Sequence, residues 1–369
     1  MRTRIPAISL ALSLIILGSI TALAVGNDPV SASGTCNATL YVGNYVSNTV
    51  SVIDTSTNTV IGAPITVGAR PTTIAITPDQ STAFVTNNAG DSISVISRAT
   101  NAVTNTINLP FGTGPIGSAV TPDSATAYVA NWGGANMSAI DIATNTVTAF
   151  PAIIGASPSA IAITPNGTTA YVTNGGGSSV YVFDIGTNTL TGSINVGSFP
   201  LDIAITPNGL IAFIANYNSN NVSVLNIDPL SGSYNTVIAT VPVGTNPTHV
   251  AITPDGNNAY VTNYSSNNIS VVNTSSLSVT ATFSTGAGSL PEGIAITSDG
   301  TTAYVANYGT NNVAVIDVAT NAITNTIGVG NNPLGVALTP CQAPTPTPTT
   351  APTTTVAPTE PEITPAFTG

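Results

Sequence analysis

Short runs of alternating apolar and polar residues recur along most of this chain. In Pro291–Gly330 four such runs follow one another, each rich in Val, Ile, Thr and Tyr and bounded by Gly, Asn, Asp, Pro or Ser. A period of two is typical of half-buried strands, and the bounding residues are typical of tight turns. The i, i+3, i+4, i+7 spacing of an amphipathic helix does not occur in this stretch. The pattern therefore predicts four short antiparallel strands.

The second of these runs, TAYVAN, recurs with small variations seven times. The steps between its final asparagines are 43, 44, 43, 42, 47 and 44 residues. Four antiparallel strands per period of this length describe one propeller blade, and stacking in a closed ring buries both faces of each sheet. The sequence thus predicts an all-β fold, a seven-bladed β-propeller of four-stranded antiparallel blades. The final asparagines are Asn44, Asn87, Asn131, Asn174, Asn216, Asn263 and Asn307.

The two ends of the repeat region are out of phase with the blades. The chain enters the first blade at its second strand, which begins at Thr39, so this blade lacks an inner strand of its own. Leu334–Pro340, at the far end, matches the inner strands of the other repeats. We expect this C-terminal strand to join the N-terminal blade and close the ring, which removes exposed sheet edges.

The two cysteines of the chain lie on either side of this seam. When the repeats are aligned, Cys36 matches Asp299 and Cys341 matches Asp255, and both aspartates belong to the turn after an inner strand. In an exported chain this placement favours a disulfide between Cys36 and Cys341. The alternative is two unrelated free thiols.

Proline and aspartate mark the predicted turns. A proline precedes each inner strand, where it removes no needed ladder bond. Asp54, Asp141, Asp184 and Asp317 end the third strands, and we interpret them as residues that bond their own turn backbone, although recurring carboxylates could also indicate a metal site. The prolines are Pro71, Pro115, Pro158, Pro200, Pro247, Pro291 and Pro333.

The phrases YVTN, ITPDG, VSVID and TNTV resemble the YVTN family of β-propeller repeats. The resemblance covers residues 37–340. It implies the propeller fold and an exported protein, because such repeats occur in archaeal and bacterial surface-layer and other exported proteins. Most of the shared residues are structural, so the resemblance says little about the ligand.

The segments outside the repeats differ in composition. Residues 1–24 have a basic start, an apolar run and the small-residue sequence Ala22-Leu23-Ala24, which predicts a cleaved signal peptide; an uncleaved anchor is the alternative. Residues 25–35 are interpreted as a flexible leader and residues 36–341 as the propeller. Residues 342–369 are rich in Pro and Thr and predict a disordered linker or stalk. The localisation expected is secreted or cell surface.

The net negative charge of the chain limits the classes of molecule that it can bind. The chain has a net charge of −11 and no lysine, and cleavage after residue 24 would leave Arg70 and Arg98 against 15 acidic residues, about −13. Such a chain is repelled by nucleic acid and by anionic lipid. We therefore expect no nucleic-acid partner and no membrane span in the mature chain. Cell-wall or surface glycans or other envelope proteins are the expected partners, and seven Asn-x-Ser/Thr sequons, including Asn263, fit a glycoprotein.

Several kinds of catalytic site are excluded by composition. One histidine and no lysine exclude multi-histidine metal sites and lysine nucleophiles. GxSxG and HExxH motifs are missing from the sequence. We accordingly expect no metal and no cofactor.

The residue after each repeat asparagine is aromatic in five of the seven repeats. These residues follow the second strand, on the same face as the loop prolines. They either pack locally on neighbouring blades or form a partial aromatic ring at the channel mouth, suited to stacking on sugars or apolar groups. The five candidates are Tyr45, Trp132, Tyr217, Tyr264 and Tyr308, while Asn88 and Gly175 occupy the other two positions.

Three ionisable residues follow the loop prolines of successive repeats. Asp202 and His249 are the second residues after their prolines, and Glu292 is the first residue after its proline. The other repeats carry uncharged residues there. These groups should gather on one rim of the channel, where they could bind a cation or act as an acid–base pair. The alternative is a chance set of polar residues on a solvated rim.

The functional expectation drawn from the sequence is an exported or cell-surface propeller, surface-layer or envelope-associated, that acts as a binding or structural module without catalysis. The alternative is a propeller enzyme of the lactonase or quinoprotein type with its site at Asp202, His249 and Glu292. Against that alternative stands the lack of the Arg, Lys and additional His residues that such chemistry usually enlists.

Overall fold

A computed structural model of the chain describes residues 38–149 and 157–341. They form a seven-bladed β-propeller of antiparallel sheets, as the periodicity predicts; six sheets have four strands, and the first has five because its outer strand is divided into two short strands. The one helical segment among the described residues is a short 3-10 helix, Asn88–Gly90.

The blades follow one another in chain order. The first contains β1 (Thr39–Asn44), β2 (Thr49–Asp54), β3 (Thr59–Val60) and β4 (Ile65–Thr66), where β3 and β4 both pair with β2. The second contains β5 (Pro71–Ile76), β6 (Thr82–Asn87), β7 (Ser92–Ser97) and β8 (Ala102–Asn108). The third contains β9 (Pro115–Val120), β10 (Thr126–Asn131), β11 (Asn136–Asp141) and β12 (Thr146–Ala149).

The remaining blades repeat this order. The fourth contains β13 (Pro158–Ile163), β14 (Thr169–Asn174), β15 (Ser179–Asp184) and β16 (Thr189–Asn195). The fifth contains β17 (Pro200–Ile205), β18 (Ile211–Asn216), β19 (Asn221–Asn226) and β20 (Thr236–Pro242). The sixth contains β21 (Pro247–Ile252), β22 (Asn258–Asn263), β23 (Asn268–Asn273) and β24 (Ser278–Ser284). The seventh contains β25 (Pro291–Ile296), β26 (Thr302–Asn307), β27 (Asn312–Asp317) and β28 (Ala322–Gly328).

The last strand, β29 (Pro333–Leu338), closes the ring as predicted. It pairs antiparallel with β1, with Leu338 opposite Leu40. Beyond the strand, the Thr339 amide donates to the Thr39 carbonyl oxygen at 3.0 Å. β29 also packs against β5 and β25, the inner strands of the blades on either side. The first blade therefore takes its inner strand from the other end of the chain.

The turn residues lie where the sequence places them. All seven inner strands begin at the predicted prolines. At the end of β15, the Asp184 carboxylate accepts bonds from the Thr187 amide and hydroxyl, both at 2.8 Å. The hydroxyl bond is the main cause that lowers the pKa of Asp184. Equivalent bonds occur at Asp54, Asp141 and Asp317, which confirms their structural role.

The tyrosines of the repeat phrase join neighbouring blades. Tyr304 is 1% exposed, and its hydroxyl donates to Asn58 Oδ1 of the first blade at 2.8 Å. The asparagine occupies the outer turn of the blade and has a positive φ of 53°, a conformation that asparagine tolerates well. The same bond joins Tyr41 to Asn101, Tyr128 to Asn188, Tyr171 to Asn235 and Tyr260 to Asn321.

Several predictions concern residues outside the described ranges. The signal peptide, the leader, Cys36 and residues 342–369 all lie there, so these predictions and the disulfide remain predictions. Within residues 38–149 and 157–341, no helix is long and apolar enough to cross a bilayer. Among the sequons, Asn263 is fully buried and its side-chain amide donates to Asn268 and Ser270, so this residue is not available for glycosylation.

Candidate functional site

The inner strands all begin at one end of the channel, and a cavity of about 450 Å³ opens there. Its wall consists of the second and third residues of the inner strands together with residues that follow the second strands. All eight residues that the sequence singled out line this one cavity, namely Tyr45, Trp132, Asp202, Tyr217, His249, Tyr264, Glu292 and Tyr308. The rest of the wall is uncharged, with Thr72, Thr73, Asn88, Ile116, Ser159, Ala160, Leu201, Thr248 and Leu334.

His249 and Glu292 face each other across the boundary between the sixth and seventh blades. His249 Nδ1 lies 3.4 Å from Glu292 Oε2, and the two side chains are 23% and 14% exposed. Nδ1 makes no well-aligned hydrogen bond, so the contact is an ion pair when the imidazole is protonated. Both side chains are thus largely buried and contribute to the wall of the cavity.

Asp202 completes the charged group from the fifth blade. Its Oδ2 accepts a hydrogen bond from the Val250 amide at 2.9 Å, which joins β17 to β21. Burial raises the pKa of Asp202, while His249 and the backbone amides of Val250 and Ile203 oppose this rise. The carboxyl group is therefore held next to His249 by the backbone of the neighbouring blade.

Burial, Glu292 and Asp202 together determine the pKa of His249. Burial disfavours the imidazolium, but the contact with Glu292 and the charges of Asp202 and Glu292 outweigh burial, and the pKa of His249 is raised above its ordinary 6.5. The imidazole therefore keeps its proton to a higher pH than a free histidine does, and a histidine can serve as a general acid or base.

Aromatic rings surround the mouth of the cavity in two arcs. Tyr308 lies 6.4 Å, centroid to centroid, from both Tyr45 and Tyr264. Phe199 lies 5.8 Å from both Trp132 and Tyr217. The predicted partial ring is therefore present, and its members also pack on one another. We refer to Tyr45, Trp132, Phe199, Tyr217, Tyr264 and Tyr308 as the aromatic collar.

The gap in the sequence pattern at Gly175 has a steric cause. A Cβ atom at Gly175 would lie 2.5 Å from Cζ3 of Trp132. The indole of the third blade thus covers the position that an aromatic residue of the fourth blade would occupy. Any larger residue at this position would require the indole of Trp132 to move.

Phe199 is a member of the aromatic collar that the repeat pattern does not predict. It precedes Pro200 and has a positive φ of 59°, and its carbonyl oxygen accepts from the Tyr217 amide at 3.0 Å. The residue before each of the seven inner-strand prolines has this left-handed conformation. The position directly before the proline recurs in every repeat and could have drawn attention to Phe199. The residue type at this position differs from blade to blade, however, so no aromatic pattern marks it. The seven residues are Arg70, Gly114, Ser157, Phe199, Asn246, Leu290 and Asn332.

The side chains of the cavity limit the kinds of chemistry that the site can support. Within the described residues, no group of three or more His, Cys, Asp or Glu side chains is placed to hold a metal ion. Asp202, His249 and Glu292 are the only charged or chargeable side chains, apart from the tyrosines, among the residues lining this cavity. The arrangement can transfer protons and attract positive charge, and its aromatic mouth can stack on a ring or an apolar group.

Comparison with known proteins identifies the family. A model of YNCE-like β-propellers matches residues 5–344. A comparison with curated proteins found no match. The family match supports the β-propeller family in general and does not reach the narrower surface-layer type that the repeat phrases imply.

Solved structures share the propeller fold. A hydrazine synthase from Kuenenia stuttgartiensis is 24% identical over 72% of this chain and 88% of its own, with a TM-score of 0.65. A periplasmic gluconolactonase from Pseudomonas aeruginosa is 17% identical over 83% and 99%, with a TM-score of 0.69. A dihydro-heme d1 dehydrogenase is 12% identical over 85% and 77%, with a TM-score of 0.63.

These findings correct the expectation of a module without catalysis. That expectation treated the propeller as a purely binding or structural fold, whereas several of the solved propellers that resemble the chain, including these three, bear the names of enzymes. Identities below 25% establish the fold and no particular activity. The expectation of a non-enzymatic protein was nevertheless wrong as drawn, and the enzymatic alternative is the better supported one.

Proposed function

Since the chain belongs to the YNCE-like β-propeller family, we propose that its channel cavity is the active site of a hydrolase for small cyclic esters. The observation that carries the proposal is the His249–Glu292 pair, 3.4 Å apart, facing the cavity beside Asp202. The name of the gluconolactonase with the same fold adds support for a lactone as the substrate class. This is the lactonase form of the enzymatic alternative.

Each member of the charged group has a role in the proposed reaction. The carboxylate of Glu292, 3.4 Å from Nδ1, favours the tautomer of neutral His249 that carries its proton on Nδ1, which leaves Nε2 to accept a proton from water. The resulting hydroxide attacks the carbonyl carbon of the lactone, and the ring C–O bond then breaks. The proton held by His249 passes to the leaving oxygen, so the products are a hydroxy acid and the regenerated neutral imidazole. Asp202 stabilises the transient imidazolium.

Turnover of neutral lactones tests this proposal. Purified protein is mixed with five- and six-membered lactones near pH 7.5, and acid release is followed in a pH-stat. We expect hydrolysis faster than the spontaneous rate. The exchange Asp184→Asn removes a carboxylate from an outer turn and serves as the matched control with unchanged turnover. A rate equal to the blank across the series would contradict the proposal.

Export of the protein is a separate proposal that rests on the sequence. The predicted signal peptide in residues 1–24, the absence of lysine and the YVTN phrases support a secreted or cell-surface protein of the YVTN type. A sugar lactone derived from surface glycans would fit such a location. Cell fractionation with an antibody to the propeller tests it, and recovery of the protein in the cytosol with residues 1–24 intact would contradict it.

A further inference from the structure

The cavity combines an aromatic mouth with a negatively charged wall. Glu292 and Asp202 contribute the carboxylates, and the lining residues include no lysine and no arginine. When His249 is neutral, the charge can be balanced only by a ligand or by solvent ions. Aromatic faces attract cations through their quadrupole, most strongly where water is excluded.

Glu292 lies close to two rings of the collar. Burial raises the pKa of Tyr264, and the negative charge of Glu292 raises it further. Burial also raises the pKa of Tyr308, with Tyr45 and Glu292 adding to the effect. Glu292, Tyr264 and Tyr308 all line the cavity, so a positive group seated there would meet aromatic rings and a carboxylate in one site.

Arg70 shows that the collar accepts a cation. Its guanidinium carbon lies 5.5 Å from the centroid of the Tyr45 ring. Arg70 is exposed and is not among the residues that line the cavity. It is one of two arginines within the described residues, and both lie outside the cavity wall.

We propose that the cavity takes a ligand that carries an organic cation, a quaternary or primary ammonium group, seated between the aromatic collar and the carboxylates of Glu292 and Asp202. The inference deepens the proposed function and rests on it for turnover, because the substrate is then a lactone or ester bearing the ammonium group. Binding itself does not depend on turnover. The same lining disfavours phosphorylated substrates, since no cationic side chain in the wall could pair with a phosphate.

A pair of isosteric probes isolates the charge. Choline and 3,3-dimethylbutan-1-ol have the same shape and differ in a quaternary nitrogen replaced by carbon. Binding is measured by calorimetry and by the fluorescence of Trp132, the single tryptophan of the chain, which lines the cavity. We expect choline to bind at least about tenfold more tightly than the neutral alcohol. Inorganic phosphate should not bind.

Substitutions at Glu292 and Tyr308 test where in the cavity the cation binds. Glu292→Gln should weaken choline binding about fivefold or more and leave the neutral alcohol within about twofold. Tyr308→Phe should retain choline binding and Tyr308→Leu should lose most of it, because only the first keeps an aromatic face. Asp184→Asn is the control with unchanged affinity, and melting temperatures establish that each variant folds.

The outcomes separate this inference from the proposed hydrolysis. Equal affinities for choline and the neutral alcohol, or no binding of choline at millimolar concentration, would overturn the inference even if neutral lactones were hydrolysed. Selective choline binding without turnover of any lactone would support the inference and overturn the hydrolase proposal.

Discussion

His249 is the single histidine of the chain, and its position relative to Pro247 was enough to place it on the channel rim. The same argument placed Asp202 and Glu292, because each inner strand begins at its proline. The 3.4 Å contact with Glu292 could not be predicted. The pairing of each inner strand with the second strand of its blade is interrupted just after the proline. In β21 the pairing with β22 continues from His249, whereas in β25 the pairing with β26 continues only from Ile294, beyond Glu292. The repeat pattern does not reveal this difference.

The charge of His249 gives a direct prediction at this scale. Glu292 and Asp202 raise the pKa of His249 against the effect of burial, so Glu292→Gln should lower it. Tyr264 and Tyr308 also line this part of the cavity but are neutral near pH 7. Because one histidine is present, its ring signals in an NMR titration are unambiguous. An unchanged or increased pKa in the variant would show that the pair does not exist in solution.

The raised pKa of His249 also predicts the direction in which protein stability changes with pH. A histidine whose pKa is raised by folding stabilises the protein fully below its unfolded pKa, about 6.5, and loses this contribution as the pH rises through the folded value. The difference in unfolding free energy between the wild type and Glu292→Gln should therefore be larger at pH 5.5 than at pH 9. Urea unfolding at both pH values measures it, and a difference that grows with pH would contradict the assignment.

At the scale of strands and turns, most of the structure could be predicted because each strand carries its own pattern. The alternation of apolar residues, the starting prolines and the Asp or Asn turns all reappear where expected. Contacts between blades were less predictable. The Tyr304–Asn58 bond joins residues 246 positions apart, and no local pattern relates them.

The hydroxyl of Tyr304 provides a test of these contacts between blades. Phe84 and Phe213 occupy the matching position in the second and fifth blades, so Tyr304→Phe should preserve packing and remove only the bond to Asn58. We expect a loss of about 1 kcal/mol in unfolding free energy, the usual contribution of one such bond. Urea denaturation measures it, with Tyr45→Phe at the half-buried aromatic collar as the control. Equal stability of Tyr304→Phe and the wild type would remove the bond from the account.

At the scale of the whole molecule, the phase of the repeats was sufficient to predict how the ring closes. The function could not be predicted in the same way, because the repeated residues are those that build blades. The residues on which the proposed chemistry depends are the non-repeating ones at the rim, namely Asp202, His249 and Glu292.

The predicted disulfide between Cys36 and Cys341 lies where β29 joins β1 and closes the ring. β29 and β1 pair up to Leu338 and Leu40, and Cys341 and Cys36 follow and precede this ladder by a few residues. A bridge there would close a loop of about 300 residues and stabilise the fold by on the order of 5 kcal/mol. Non-reducing peptide mapping of native protein should recover one cross-linked peptide. Free thiols at both positions would refute the bridge.

The proposed role of His249 is to perform the proton transfers of hydrolysis in the cavity. This role is tested by comparing kcat/KM for the best lactone between the wild type, His249→Ala and the control Asp184→Asn. We expect a loss of about 10²–10⁴ for His249→Ala, with the control unchanged and the melting temperatures of all three within a few degrees. Undiminished turnover in a folded His249→Ala protein would contradict it.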